Sequence, residues 1–334
     1  MRPEYESWIC SPGPQRMLAE AVDALTGKAT VWFCEELPWR EEFRRSVKDV
    51  LGTADSRLNI EFVDAGSTDK EPIEVVFDFD GSAQDLFLPA YDLARFIKDN
   101  KVLENTVLWI FGMQPETCSS WLEFSRELAR LGASLKIVCE GVPSCSSAKN
   151  VKVISTGSFI SEFDLLLYAM MLCQNDKNAS ELKMYAARLA VNLSAGRPKT
   201  LSELIFDVDR LIDNPEKTAR DICVVSSDED IRSAVRNAQM MSILPKTEER
   251  RAVLVGDLKD RLEPLLPFDD DFDNKITVLD EIELRHIVYF RNMHEIYLND
   301  AENEELKLLY GVRNDISHRK IVPGTNARMV FLKS

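Results

Sequence analysis

The sequence predicts an α/β protein with an open, mainly parallel sheet flanked by helices, followed by an all-helical C-terminal region. Up to residue 156, short apolar runs alternate with segments in which apolar residues recur at helical spacing. The run VLWIF at 107–111 is apolar throughout, as expected for a central strand of a parallel sheet. From Ser158 onward the strand pattern fades, and helical segments follow one another between glycines and prolines.

Strands and helices alternate through the first half of the chain. The predicted strands are Trp8–Cys10, Thr30–Cys34, Asn59–Ala65, Glu74–Phe79, Val107–Phe111, Leu135–Cys139 and Val151–Ile154. Helical spacing is found from Met17 to Leu25, after Pro38, and within Ala83–Lys98 and Trp121–Leu131. This order predicts right-handed βαβ units with helices on both faces of the sheet.

The second half predicts helices almost throughout. They are Phe159–Leu172, Ala179–Leu193, Leu201–Ile212, Asp228–Leu244, Glu248–Leu266, Glu281–Leu298 and Glu302–Ser317, before a short terminal strand or tail at Ala327–Leu332. We therefore expect an α/β domain at 1–156, a helical extension at 157–245 and a C-terminal helical domain at 246–334.

Composition excludes several classes of function. The 334 residues include 56 acidic and 41 basic ones, a net charge of −15, which repels nucleic acid backbones and makes nucleic acid an unlikely partner. The seven cysteines form no CxxC pair and lie mostly in apolar runs, as reduced buried thiols do. The longest apolar stretch, Phe163–Cys173, is too short to span a bilayer. We expect a cytoplasmic protein without metal or cofactor.

The stretch Trp8–Leu25 predicts a strand, a tight loop and a helix, the arrangement that binds phosphate in parallel α/β proteins. A phosphate loop of the GxxxxGK[ST] kind needs glycines, a lysine and a hydroxyl. Here the loop SPGP has one glycine between two prolines, which lack an N–H. The lysine and hydroxyl positions fall on Met17 and Leu18. Gly13 and Arg16 remain as candidate nucleotide-binding residues.

A working NTPase also needs a carboxylate at the end of a central strand, where it holds magnesium or activates water. The strand VLWIF is followed by Gly112-Met113-Gln114 instead. Together with the altered loop, residues 7–240 resemble an inactive P-loop NTPase of the STAND or AAA-like kind, which makes 1–156 a P-loop-like domain. This resemblance implies an adaptor that acts beside active NTPases in a prokaryotic conflict or antiphage system.

The run VVFDFDGS at 75–82 resembles the nucleophile motif of haloacid-dehalogenase-type phosphatases, hhhhDxDG[ST]. In that family Asp78 would attack phosphorus and Asp80 would protonate the leaving group. The alternative is a strand end with solvated aspartates, which the later sequence favours because it offers no convincing acidic pair and lysine for magnesium and phosphate.

Near the C-terminus, Arg313 and His318 are separated by four residues at the end of a predicted helix. This spacing resembles the R-x4-6-H motif of HEPN domains, in which two protomers form a metal-independent ribonuclease site. A histidine can exchange protons near neutral pH, and an arginine can steady a phosphate. On a regular helix the two side chains lie about 140° apart, so they would need an unwound end or a partner chain to converge. The alternative is that both satisfy carbonyls at the helix end.

Glu283 and His286 share one face of a predicted helix, and His294 follows two turns later. No further ligand follows at a recognisable metal-site spacing, so packing or surface positions are the preferred interpretation.

Three functions fit these observations. The first is a noncatalytic scaffold, adaptor or sensor that binds other proteins, a second copy of the chain among them. The second is a HEPN-type ribonuclease that uses Arg313 and His318. The third is a nucleotide sensor that binds without hydrolysis.

Overall fold

A computed structural model of the protein describes residues 2–27, 29–66, 70–143, 149–223, 227–271 and 273–332. These residues form two compact units, one that extends to Asp164 and one that starts at Leu165. The first unit contains a parallel sheet flanked by helices, and the second consists mainly of helices. The predicted fold class is therefore confirmed.

The first unit alternates helices with the strands of the sheet. Its described helices are α1 (Pro3–Ile9), α2 (Pro12–Thr26), α3 (Arg40–Ala54), α4 (Pro72–Phe79), α5 (Gly81–Leu86), α6 (Leu93–Asn100), α7 (Pro115–Leu131) and α8 (Thr156–Phe159). Its described strands are β1 (Thr30–Cys34), β2 (Asn59–Asp64), β3 (Thr106–Phe111), β4 (Lys136–Val142) and β5 (Val151–Ser155).

The five strands are parallel and lie in the order β2-β3-β4-β1-β5. From β1 the chain crosses to β2 at one edge of the sheet. It then returns toward β1, adding β3 beside β2 and β4 beside β3. Right-handed crossovers then place α3 and α7 on opposite faces. Successive side chains of β1 contact these two helices on opposite faces of the sheet. The Trp32 indole N–H donates to the Ser125 hydroxyl of α7 at 2.9 Å, and the ring centroid of Phe33 lies 5.7 Å from that of Phe43 on α3.

The chain begins with a helix where the sequence predicts a strand at Trp8–Cys10. Pro3 and Pro12 occupy first-turn positions of α1 and α2, where a proline costs no hydrogen bond. The apolar residues of α1 pack as an aromatic cluster, with the ring centroid of Trp8 5.5 Å from that of Trp39. The predicted strand is wrong because a three-residue apolar run fits a buried helix end equally well.

The segment between β2 and β3 also differs from the prediction. Glu74–Phe79 is part of helix α4 rather than a strand, because Glu71 and Glu74 form a capping box around Pro72. The predicted helix Ala83–Lys98 is divided into α5 and α6, with Pro89 between them. The sheet consequently has fewer strands in the described residues than the sequence predicts.

Helix α9 (Glu162–Leu172) begins in the first unit and continues into the second. The other described helices are α10 (Ser180–Ser194), α11 (Pro198–Ile205), α12 (Val208–Asp213), α13 (Pro215–Ile222), α14 (Asp228–Asp257), α15 (Lys259–Leu262), α16 (Leu284–Asn292), α17 (Asp300–Ser317) and α18 (Gly324–Leu332). Two strands, β6 (Phe268–Asp269) and β7 (Lys275–Ile276), form a small antiparallel pair. Among the described helices, none combines the length and apolar character needed to cross a bilayer.

Helix α14 is the central element of the second unit. It packs against α10, α17 and α18, and its buried Arg250 donates to Glu305 of α17 and to the Met329 and Val330 carbonyls of α18. The helix continues through Pro245, so the predicted break between Leu244 and Glu248 is wrong. The terminal strand predicted at Ala327–Leu332 is also wrong, since these residues belong to α18. The three-part division at 156 and 245 stays a prediction.

Candidate functional site

The candidate site lies at the carboxyl ends of β1, β3 and β4. Ligands of open parallel sheets bind outside these ends, in the loops that lead to the next helix. The first such loop runs from Glu35 to Trp39, between β1 and α3. The loop predicted at residues 11–14 is wrong, since Ser11 is the N-cap of α2 and residues 12–14 form its first turn, and the segment follows helix α1 rather than a strand.

The loop after β1 carries negative charge. Glu35 has a φ of 69°, and its carboxylate accepts hydrogen bonds from the Ser155 hydroxyl and the Gly157 N–H, both at 3.2 Å. Glu36 is exposed and pairs with Arg40 at 2.7 Å. Pro38 has no N–H to offer a phosphate. A loop with two carboxylates repels an anionic ligand at the position where a phosphate loop would attract one.

Behind this loop, Arg44 of α3 and Glu140 of β4 form a buried ion pair. Arg44 donates to both carboxylate oxygens of Glu140, at 2.8 Å from Nε and 3.1 Å from Nη2. The indole N–H of Trp109 donates to Glu140 at 3.0 Å. The Arg44 guanidinium also lies 3.6 Å from the ring centroid of Phe111. The charged groups are thus satisfied by each other and by neighbouring aromatic residues.

This network links three elements, because Arg44 lies on α3, Glu140 on β4 and Trp109 on β3. The side chains of Arg44 and Glu140 are only 9% and 4% exposed, so the pair is closed to solvent. The Glu140 carboxylate accepts three hydrogen bonds from Arg44 and Trp109, and Arg40 lies 3.7 Å from it, so its charge is compensated within the chain.

At the end of β3, Gly112 has a φ of 71° and approaches the end of β2 closely. A Cβ added to Gly112 would lie 2.7 Å from an Asp64 oxygen, and one added to Gly66 would lie 2.4 Å from the Gly112 carbonyl. Asp64 accepts from the Gly66 N–H at 3.0 Å. The two loops therefore fill the space at this edge of the sheet with main chain.

Gly13 and Arg16, the predicted nucleotide-binding residues, lie in the first turns of α2. The Gly13 N–H donates to the carboxylate of Asp164 at 2.8 Å, and Arg16 lies 3.8 Å from the same carboxylate. Arg16 also donates to the Phe159 carbonyl at 3.3 Å. A helix N-terminus favours an anion, and here the chain supplies that anion itself.

Asp164 is 3% exposed and also completes the N-terminal cap of α9. Its carboxylate accepts from the Ser161 N–H at 2.9 Å and from the Ser161 hydroxyl at 2.5 Å. Burial raises the pKa of Asp164, but the hydrogen bonds from Ser161 and Gly13 and the charge of Arg16 outweigh it, so the net pKa is lowered.

Arg313 and His318 have different environments in α17. Arg313 pairs with Glu248 at 3.2 Å and with Glu283 at 3.1 Å, and its side chain is 30% exposed. His318 is exposed at the end of the helix, where its backbone N–H bonds to the Asn314 and Ile316 carbonyls. The arginine is thus engaged by two carboxylates of its own chain, and the ribonuclease assignment stays a prediction.

The phosphatase-like motif lies on helices rather than at the end of a strand. Asp78, on α4, pairs with Lys70, and Asp80 caps α5 by accepting from the Ala83 N–H at 3.2 Å. The interpretation as a nucleophile motif is wrong, because that motif needs a strand to present its aspartates.

The described residues do not bring Glu283, His286 and His294 together as a metal site. His286 accepts from the Glu283 N–H through Nδ1 at 3.1 Å and is buried, which lowers its pKa. His294 adopts a φ of 61° just after α16. No group of three or more potential ligands occurs among the described residues. Cys10 is exposed and the other described cysteines are buried, whereas Cys145 lies outside the described residues.

The sequence contained partial signals for the residues that it failed to identify. Glu140 is a charged residue within the apolar run LKIVCEGV, which suggests a buried partner. Ser161 and Asp164 have the spacing of a capping box before an apolar run. Neither signal reveals the partners Arg44 and Gly13, which are 96 and 151 residues away.

The geometry defines an α/β protein whose sheet edge is closed by its own side chains. No family model matches the sequence, and no curated protein matches it. Among solved structures, the chain is similar to the crystal structure of Cdc6p from Pyrobaculum aerophilum, with a TM-score of 0.36 and 12% sequence identity. That match covers 96% of this chain and 93% of the Cdc6p chain.

The buried ion pair predicts a strong asymmetry between single and double substitutions. Glu140→Ala should lower the free energy of unfolding by about 3–5 kcal/mol, because it leaves the Arg44 charge buried without a partner. The double variant Arg44→Met/Glu140→Leu should recover part of this loss, because it removes the unpaired charge but leaves the buried Trp109 N–H without its acceptor. Urea denaturation followed by circular dichroism measures both. Equal losses in the single and double variants would contradict the assignment.

Asp164 predicts a pH-dependent contribution to stability. Its pKa is lowered by folding, so its stabilisation is complete above the unfolded value of about 3.9 and is lost as the pH falls through the lower folded value. Asp164→Asn should therefore lower the free energy of unfolding by about 1–3 kcal/mol at pH 7 and progressively less in acid. Asp49→Asn, on the exposed surface of α3, is the control. A difference that does not change with pH would contradict this role.

Proposed function

We propose that this protein is a noncatalytic adaptor or scaffold built on an NTPase-like α/β unit. The observation that carries the proposal is the closed Arg44–Glu140–Trp109 network behind the loop after β1. This edge is where a parallel sheet binds its ligand, and here the chain fills it with a balanced ion pair and main chain.

Charge supports the same proposal. Catalysis of phosphoryl transfer depends on cations and N–H groups directed at the phosphates. The loop after β1 instead presents Glu35 and Glu36, and the N-terminus of α2 is already engaged by Asp164. The retained fold without open ligand groups suits a protein that acts by binding other proteins. Its place in a bacterial defence system stays a prediction from the family resemblance.

Nucleotide titration tests the proposal. We expect no change in the thermal midpoint with ATP and magnesium, compared with magnesium alone at the same ionic strength. A sensor with a ligand at about 100 times its Kd would gain about 2.7 kcal/mol, which raises the midpoint by several degrees. A saturable rise would favour the nucleotide sensor, and phosphate release would favour an enzyme; either result overturns the adaptor.

Substitutions at Arg313 and His318 test the ribonuclease alternative. Arg313→Ala should lower the free energy of unfolding by about 0.5–1.5 kcal/mol, since it removes two partly buried ion pairs. His318→Ala should leave it unchanged, because that side chain is exposed. Neither should alter the cleavage of a labelled single-stranded RNA. If both variants remain folded but lose a cleavage activity that the native protein has, the ribonuclease replaces the adaptor.

A further inference from the structure

A large cleft lies on the first unit. It lies between α4, the segment 87–92 and α7, and has a volume of about 900 Å³. We call it the aromatic cleft, after the large apolar side chains that line it: Ile73, Phe77, Phe87, Tyr91 and Phe124. Its volume lies at the upper end of the range of about 300–1,000 Å³ found for ligand pockets.

The aromatic rings that line the cleft pack against one another and against buried core residues. The ring centroids of Phe77 and Phe87 are 5.4 Å apart, and Phe87 lies 5.1 Å from Phe96, which is buried. Phe124 is also buried, on α7. The floor of the cleft is therefore fixed by packing, so that little side-chain entropy is lost when a ligand covers it.

The surface beside the cleft exposes more apolar side chains than a solvent-facing loop needs. Leu86 and Leu88, on either side of Phe87, are 67% and 68% exposed, and Tyr91 is 51% exposed. Three exposed apolar side chains within six residues are a feature of interaction sites.

The rim of the cleft is acidic. Four carboxylates lie among its lining residues and none of those residues is basic; the four are Glu71, Asp92, Glu123 and Glu127. Asp92 caps α6 by accepting from the Arg95 N–H at 2.8 Å, and Glu71 directly precedes the first turn of α4. Glu127 is held by Arg130, one turn further along α7. The negative charges are thus arranged around the aromatic floor by the ends and faces of three helices.

We propose that the aromatic cleft docks a basic, amphipathic segment of a partner protein. Apolar side chains of that segment would cover the rings of Phe77, Phe87 and Phe124, while its lysines or arginines would pair with the rim carboxylates. Charge complementarity selects this occupant, because an acidic segment would bring like charges to a rim with four carboxylates, of which Glu127 already pairs with Arg130. An amphipathic helix laid in an apolar groove is a common mode of peptide recognition. The inference rests on the proposed adaptor function and identifies the surface that performs it.

A fluorescent peptide of about 18 residues, with leucines on one helical face and lysines and arginines on the other, is the probe. Fluorescence anisotropy at about 0.15 M salt measures its binding to the full chain, since this ionic strength screens the general acidic field. Glu123→Lys and Tyr91→Ala should each weaken binding about tenfold. Both side chains are exposed, so the variants are expected to fold.

Two matched controls separate the cleft from net charge and general exposure. Asp49→Lys on α3 makes the same change of charge as Glu123→Lys outside the cleft lining, and Tyr297→Ala removes a ring that is 80% exposed in the second unit. Both should change the Kd by less than about twofold, and a peptide with glutamates in place of its basic residues should not bind.

The outcomes distinguish the two proposals. Peptide binding that is weakened by the cleft variants and kept by the controls supports the cleft. No binding, or equal losses in Asp49→Lys and Glu123→Lys, overturns the cleft alone. The nucleotide titration on the same samples addresses the adaptor separately, because a saturable gain of stability with ATP overturns that function whatever the peptide does.

Discussion

The buried pair between Arg44 and Glu140 is the interaction on which the first unit depends. A charged arginine inside an α/β core is tolerated when its charge is compensated, and here Arg44 donates to both carboxylate oxygens of Glu140 and lies over the ring of Phe111. Trp109 donates a further hydrogen bond to the same carboxylate. The pair fixes α3 against the centre of the sheet. It does so at the edge where other parallel sheets leave space for a ligand, so structural stability and an open site compete for the same position.

Asp164 repeats this pattern on a second helix. The N-terminus of α2 has the positive dipole end and N–H groups that bind phosphate elsewhere, and the chain neutralises them with its own carboxylate. An internal anion is held at high effective concentration, which an external phosphate would have to displace. At both positions, side chains of the protein itself occupy places where a parallel α/β protein can bind an anion.

The sequence predicts the fold class well because the central strands are nearly uninterrupted apolar runs. Thr30–Cys34 and Val107–Phe111 are found almost as predicted, whereas the predicted strands Trp8–Cys10 and Glu74–Phe79 are helical. A run of three residues, or one of six that includes charged positions, does not separate a strand from a helix, although Pro12 and Pro72 offered a signal for a helix start. The candidate site could not be predicted from the sequence to the same extent. The pairing of Arg44 with Glu140 depends on the order of the strands in the sheet, which no local sequence pattern encodes.

Gly13 shows how a conformational requirement can imitate a functional one. A Cβ at this position would lie 2.4 Å from the Phe159 carbonyl and 2.9 Å from the Asp164 carboxyl carbon, so any larger residue would force the two chain segments apart. A glycine at the start of a helix can therefore be required by close packing of the chain against itself, so its presence in the sequence is not by itself a signal for phosphate binding.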